Sequence, residues 1–190
     1  QVLLTAYPEA RAVLDYAALR LQPFYPGALV RFDGRFHRVA DPWRNALDGV
    51  AGALSPIGSF ADKLRVARLR HRACAGSLED LFARPETTGE RLLRDLGFTD
   101  AMIDRFFRPF LGGVTLDRSL SASSRMLEFV FRMFAGGDAA LPADGMGAIP
   151  AQIAASLPAG SVRLAAPVAA SDAGRCILRS GEVLEGRAVV

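Results

Sequence analysis

Apolar and polar positions change their spacing several times along this chain, and each change predicts an element. The apolar run "QVLLTAY" (1–7) reads as a short strand, after which Pro23, Pro26 and Gly27 punctuate a loop. In "ALVRFDGRFHRVAD" (28–41), Leu29, Arg31 and Asp33 alternate with Val30 and Phe32, and "RFHRV" continues the alternation past Asp33-Gly34. Two alternating runs around Asp-Gly predict a β-hairpin over Leu29–Val39, because a type I′ turn needs positive φ at both central residues.

From Pro42 to about Phe134 the period becomes helical. "DPWRNALDGVAGAL" (41–54) begins with Asp41 as N-cap and Pro42 at the first helical position. "SFADKLRVARLRHRA" (59–73) places Asp62 three residues after the cap Ser59, close to a capping box. "TTGERLLRDLGF" predicts a helix ended by Gly97, and "TDAMIDRFFRPFL" one ended by Pro109 with Gly112-Gly113. "SASSRMLEFVFRMFAGG" predicts a longer helix closed by Gly136, with Met126, Phe129, Val130 and Met133 on one face. "AALPAD" (139–144) has no strand pattern. "LPADGMGAIPAQIA" (141–154) reads as a glycine turn opening into a helix, with Pro150 in its first turn. The tail, "SVRLAAPVAASDAGRCILRSGEVLEGRAVV", predicts short strands broken by Asp-Ala-Gly and Ser-Gly turns. This order is not an alternating βαβ chain. It predicts an α+β protein, a helical domain inserted between pieces of a sheet domain.

Composition narrows the function. With 51% hydrophobic and 23% charged residues the chain is globular. The net charge of +3 comes from arginines interleaved with acids, which argues against a nucleic-acid stripe. Lys63 is the only lysine, a bias expected of a high-GC bacterial genome. Cys74 and Cys176, with no Cys-x-x-Cys, are expected to be free buried thiols of a reducing compartment. There is no apolar run of ~20 residues and no signal-peptide pattern, so a cytoplasmic protein is expected. The start at Gln1 and the end at "GRAVV", inside an expected strand, suggest an internal piece of a longer protein.

Candidate chemistry is sparse. Gly145-Met146-Gly147 has Pro150 where a dinucleotide fingerprint needs its third glycine, so a hinge is favoured over a phosphate cradle. Phe98, Phe106, Phe107, Phe110, Phe129, Phe131 and Phe134, with Met126 and Met133, suit either ordinary core or the wall of an apolar cavity. Lys63, Arg65, Arg68, Arg70 and Arg72 form a basic helix segment whose other side carries Phe60, Leu64 and Leu69. That segment is either a solvated face or a membrane-surface helix. His37 and His71 have no partner at ligand or triad spacing, Asp41, Asp104, Asp117 and Glu128 make no recognisable carboxylate pair, and no G-x-S-x-G occurs. No catalytic residue and no metal site can be assigned.

The run from "FFRPFLGG" at 106 to "RLAAPV" at 168 resembles the middle of flavin-dependent oxidoreductases of the amine oxidase and phytoene desaturase superfamily. Members of that superfamily have a "P-x-G-G-M" or "P-x-G-M-G" turn opening a helix that returns the chain to the FAD domain. A strand pair "V-x-L-x-x-x-V" follows, matched by Val162, Leu164 and Val168, and the substrate domain begins soon after a strand resembling "QVLLTAYPEA". The resemblance implies three parts: an entry strand and loop (1–28), a substrate-binding domain of hairpin plus helices (29–144), and a return helix with strands of a split FAD-binding α/β domain (145–190). It implies FAD as cofactor, hydride transfer from an apolar or amine substrate, and the backbone of Val168 at the adenine edge; a simple buried β-residue is the other reading of Val168. The substrate pocket would use Phe106, Phe107, Phe110, Met126, Phe129 and Met133. The G-x-G-x-x-G, the ribose-binding acid, the arginine-rich pyrophosphate loop and the C-terminal Gly-Asp segment are missing, so these residues alone are expected to be inactive. The alternative is a non-catalytic helical module binding a lipid-like ligand or a protein partner. A peripheral membrane contact fits either reading.

Overall fold

The computed structural model describes residues 2–40 and 55–189. The helix expected to start at Asp41 lies outside the described residues. The chain divides into two compact units, Gln1–Met146 and Gly147–Val190. Helices alongside small antiparallel sheets make it α+β.

In the first unit, β1 (Leu3–Leu4), β2 (Gln22–Pro23) and β5 (Ala139–Leu141) form a sheet in the order β1-β5-β2. A helix, α1 (Pro8–Val13), follows β1 and buries none of its residues, so no apolar period announced it. The central strand corrects the expectation that "AALPAD" is not a strand. Its alanines have little strand propensity, and the ladder is supplied from both sides: Leu3 faces Ala140 and Gln22 faces Leu141. Gly137 lets the chain come this close, since a Cβ there would stand 2.5 Å from the Ala6 nitrogen.

The hairpin is β3 (Gly27–Phe32) with β4 (Arg35–Ala40), in the register Leu29↔Arg38 and Arg31↔Phe36. Asp33 and Gly34 have φ of 50° and 72°, the two positive angles the Asp-Gly turn requires. Alternation puts Val30, Phe32 and Val39 against the core and leaves Leu29 and Arg31 in solvent.

The helical block runs α2 (Phe60–Cys74), α3 (Leu78–Ala83), α4 (Gly89–Asp95), α5 (Asp100–Met102), a π-helical turn (Ile103–Phe107), α6 (Arg108–Thr115) and α7 (Ser124–Gly136). The capping box at Ser59 forms: its hydroxyl accepts the Asp62 N–H at 3.1 Å, and Asp62 accepts the Ser59 N–H at 2.8 Å. Asp62 is fully buried and also accepts the Thr99 N–H (2.9 Å) and hydroxyl (2.7 Å). Thr99 in turn caps α5 through the Met102 N–H. One carboxylate therefore joins the starts of two helices.

Pro109 and Gly112-Gly113 do not end their helix, which continues to Thr115 and stops where Leu116 turns left-handed at φ 57°. The preceding turn widens to i→i+5, with the Arg108 N–H donating to the Ile103 carbonyl, and Pro109 falls in the first turn of α6, where its missing N–H costs least.

Glu128, on α7, is the other buried carboxylate, held by Arg72 of α2 and by Arg84 beyond α3 at 3.0 Å. The thiols are not buried as expected: Cys74, the last residue of α2, is exposed and Cys176 is half-buried, both free.

Gly145, at φ 83°, ends a turn at the close of the first unit, and in the second unit α8 (Ala148–Ala155) carries Pro150 in its first turn. Strands β6 (Val168–Ser171), β7 (Arg175–Leu178) and β8 (Val183–Glu185) form a sheet in that order, turning at Asp172–Gly174 and around Gly181. Val162 and Leu164 are outside it, so the expected strand pair reduces to Val168. Pro158, Gly160 and Pro167 interrupt that stretch, and Ala165 adopts φ 53°.

Two outcomes follow. Burial by itself raises the Asp62 pKa, but hydrogen bonds from Thr99 and Ser59 outweigh it and hold it at about 2, against 3.8 for the free side chain. A depressed folded-state pKa stabilises the fold above pH 3.8, and that stabilisation is lost as pH falls through about 2. It amounts to about 2 kcal/mol, and in Asp62→Asn the corresponding slope in acid denaturation should vanish. Glu128→Gln should cost about 2–3 kcal/mol in urea denaturation, because Arg72 and Arg84 lose their charged acceptor.

Candidate functional site

The π-helical turn and α6 place three phenylalanines along one edge of the core. Phe107 is fully buried, edge-on to Phe98 at 4.7 Å and 5.9 Å from Phe131. Phe106 and Phe110 are half-buried and stack at 5.5 Å with their planes 18° apart. Phe110 continues to Phe134 at 5.2 Å, so Phe106, Phe110 and Phe134 form a half-open aromatic ladder above the closed packing of Phe107.

The other predicted pocket residues are elsewhere. Met133 is buried but does not belong to the core cluster around Phe107. Met126 is 41% exposed, and Phe129 packs on Tyr7 and Phe82, each at 5.8 Å. The expected common face of α7 is therefore divided: Leu127 and Val130 enter the core with Phe131 and Phe134 beside them, Phe129 packs on Tyr7 and Phe82, and Met126 is exposed. An apolar crevice lined by Gly89, Leu111, Thr115, Leu120, Leu127 and Val130 has room for no more than a water molecule.

Sequence reasoning passed over Phe134 as a member of the ladder and missed Arg105, whose guanidinium lies 4.1 Å from the centre of the Phe32 ring. Phe131 and Phe134 are three apart on one helix, a spacing that could have paired them. Nothing in the sequence points to Arg105.

The basic segment of α2 is mostly engaged with the protein. Lys63 donates to the Ser55 carbonyl, Arg65 to Asp62, Arg70 to the Ala135 carbonyl and Arg72 to Glu128. Phe60 and Leu64 do not share a buried side with Leu69: they are 68% and 60% exposed, and Leu69 is in the core. Among the described residues no helix is long and apolar enough to cross a membrane, and no three His, Cys, Asp or Glu side chains gather as metal ligands.

Val168 is 51% exposed on β6, an edge strand. It stands opposite Leu178, yet the bond across this pair runs from the Arg179 N–H to the Pro167 carbonyl at 2.9 Å. Leu178 directs its own N–H to Glu182 of the next strand turn at 2.8 Å. This is the non-hydrogen-bonded pairing of an antiparallel ladder, in which the N–H and C=O of Val168 point off the open edge.

The flavin containing amine oxidoreductase model matches residues 1–190. The chain belongs to that family. The family is one of flavin-dependent oxidoreductases, and the outward-facing N–H and C=O of Val168 offer one donor beside one acceptor at an open strand edge. No curated protein and no solved structure matches the chain.

The two kinds of aromatic position should separate by substitution. Phe107→Ala should lower unfolding free energy by about 3–5 kcal/mol, as for other buried aromatics. Met126→Ala should stay within about 0.5 kcal/mol. Chemical denaturation of both variants measures the difference.

Proposed function

We propose that these residues form the substrate side of an FAD-dependent oxidoreductase acting on an apolar or amine substrate, and that the half-open ladder of Phe106, Phe110 and Phe134 is the substrate wall. The observation that carries this reading is the contrast within one helical stretch. Phe107 closes the core, while Phe106 and Phe110, one and three residues away, stack on each other with part of their surface left open.

Val168 would hold the adenine edge through its peptide N–H and C=O. The chain has no glycine-rich loop for the pyrophosphate, so the main grip on the dinucleotide falls to other residues of the protein. The chemistry FAD supplies when bound is two-electron oxidation, a hydride equivalent leaving the substrate for the flavin ring. The protein's part is to orient an apolar substrate and keep water from it, which aromatic faces do without titratable groups.

Two measurements test the reading. In the flavin-loaded protein, Phe110→Ala should raise KM about tenfold and leave the bound-flavin spectrum unchanged; an unchanged KM refutes the wall. Val168→Pro removes the N–H that would meet adenine, at an edge position where proline does not break the ladder. It should weaken FAD about two- to tenfold, the worth of one neutral hydrogen bond, whereas Val168→Ala should not. The 190-residue chain alone should show no micromolar FAD affinity in a fluorescence titration. One or two such bonds, about 0.5–1.5 kcal/mol each, do not offset the roughly 4–15 kcal/mol of freedom lost on association.

A further inference from the structure

We infer that Arg105 is a specificity-determining residue of the aromatic wall, selecting apolar ligands that carry a carboxylate over ligands that carry an ammonium. The inference rests on the reading of Phe106 and Phe110 as the substrate wall.

Arg105 lies in the π-helical turn, immediately before Phe106. Turns of this kind occur mostly as single insertions into α-helices and are frequent at functional sites. Its guanidinium sits 4.1 Å from the centre of the Phe32 ring and donates to the Pro56 carbonyl at 3.1 Å. Phe32 packs against the same core cluster as Phe106 and Phe110. The cation is thus held on the Phe32 ring, which packs on the core cluster that Phe106 and Phe110 also border, and in the chain it directly precedes Phe106.

What separates Arg105 from the arginines around it is the nature of its partners. Arg108 bonds Asp104 and Glu90, and Arg94 bonds Glu90 and Asp100. Those carboxylates are committed to other arginines. Among the described residues no carboxylate accepts from Arg105, which has only an aromatic face and a neutral carbonyl. A ring and a carbonyl orient a guanidinium without cancelling its charge, and its planar fork retains donors suited to bidentate capture of a carboxylate.

An ammonium group brought to the same place would meet this positive charge, and among the described residues no carboxylate bonded to Arg105 offsets it. An apolar ligand with a carboxylate end can lay its body on Phe106 and Phe110 and set its charge against Arg105.

A pyrene series tests this on the 190-residue chain, with binding followed by fluorescence of pyrenebutyrate, pyrenemethanol and pyrenemethylammonium. Pyrenebutyrate should bind at least tenfold more tightly than pyrenemethylammonium. Arg105→Gln should bring the two affinities together while leaving pyrenemethanol within twofold, and Arg105→Lys should keep the preference. A merely structural role for Arg105 would weaken all three probes alike. A preference that survives Arg105→Gln, or an ammonium probe that binds as well as the carboxylate, overturns the inference. Failure of the wall reading itself looks different: pyrenemethanol would not bind, or would bind equally well to the Phe106→Ala and Phe110→Ala variants.

Discussion

Asp62 is the constraint on which the helical unit depends. A carboxylate with no solvent exposure must have its charge met by donors, and here they come from Ser59 and Thr99, thirty-seven positions beyond Asp62. Each donor residue also caps a helix, so the desolvated charge, the first turn of α2 and the first turn of α5 form together or not at all. The stretch that begins at Thr99 carries Arg105, Phe106, Phe107 and Phe110. The start of that stretch is thereby tied to the first turn of α2.

Glu128 plays a similar part at the opposite end of α2. Its carboxylate draws Arg72 and Arg84 onto α7, while Arg125 and Arg132 on α7 donate to carbonyls of Arg84, Gly76 and Ser77. Arginine is thus used as internal strapping between helices and connecting loops. That makes Arg105, which bonds no carboxylate among the described residues, informative.

The phenylalanine-rich segment divides its work by depth. Phe98 and Phe107 are buried, while Phe106, Phe110, Phe131 and Phe134 are each only partly buried. The π-helical turn permits this, since it lets the helix pass Pro109 without stopping and keeps Phe110 in stacking contact with Phe106. A helix ended at Pro109 would have left Phe110 and Leu111 in a loop, and the ladder would not exist.

The local elements of this protein were legible in its amino-acid sequence wherever the chemistry was local. Asp33-Gly34 dictates the hairpin because the φ values it needs belong to those residues; Ser59 and Asp62 dictate a helix start because both partners lie within one turn; Gly145 and Pro150 dictate the turn and the helix beyond it. The family resemblance was likewise carried by local motifs. What required the tertiary structure was everything whose partner is distant. Ala139–Leu141 becomes a strand only because β1 and β2 flank it, and α6 runs through Pro109 only because the turn before it widens. Phe129 stands apart from the Phe106–Phe110 group because Tyr7 and Phe82 provide it with another surface to pack on. Periodicity tells which residues share a helix face, but which neighbour that face meets is settled by contacts between residues far apart in the chain.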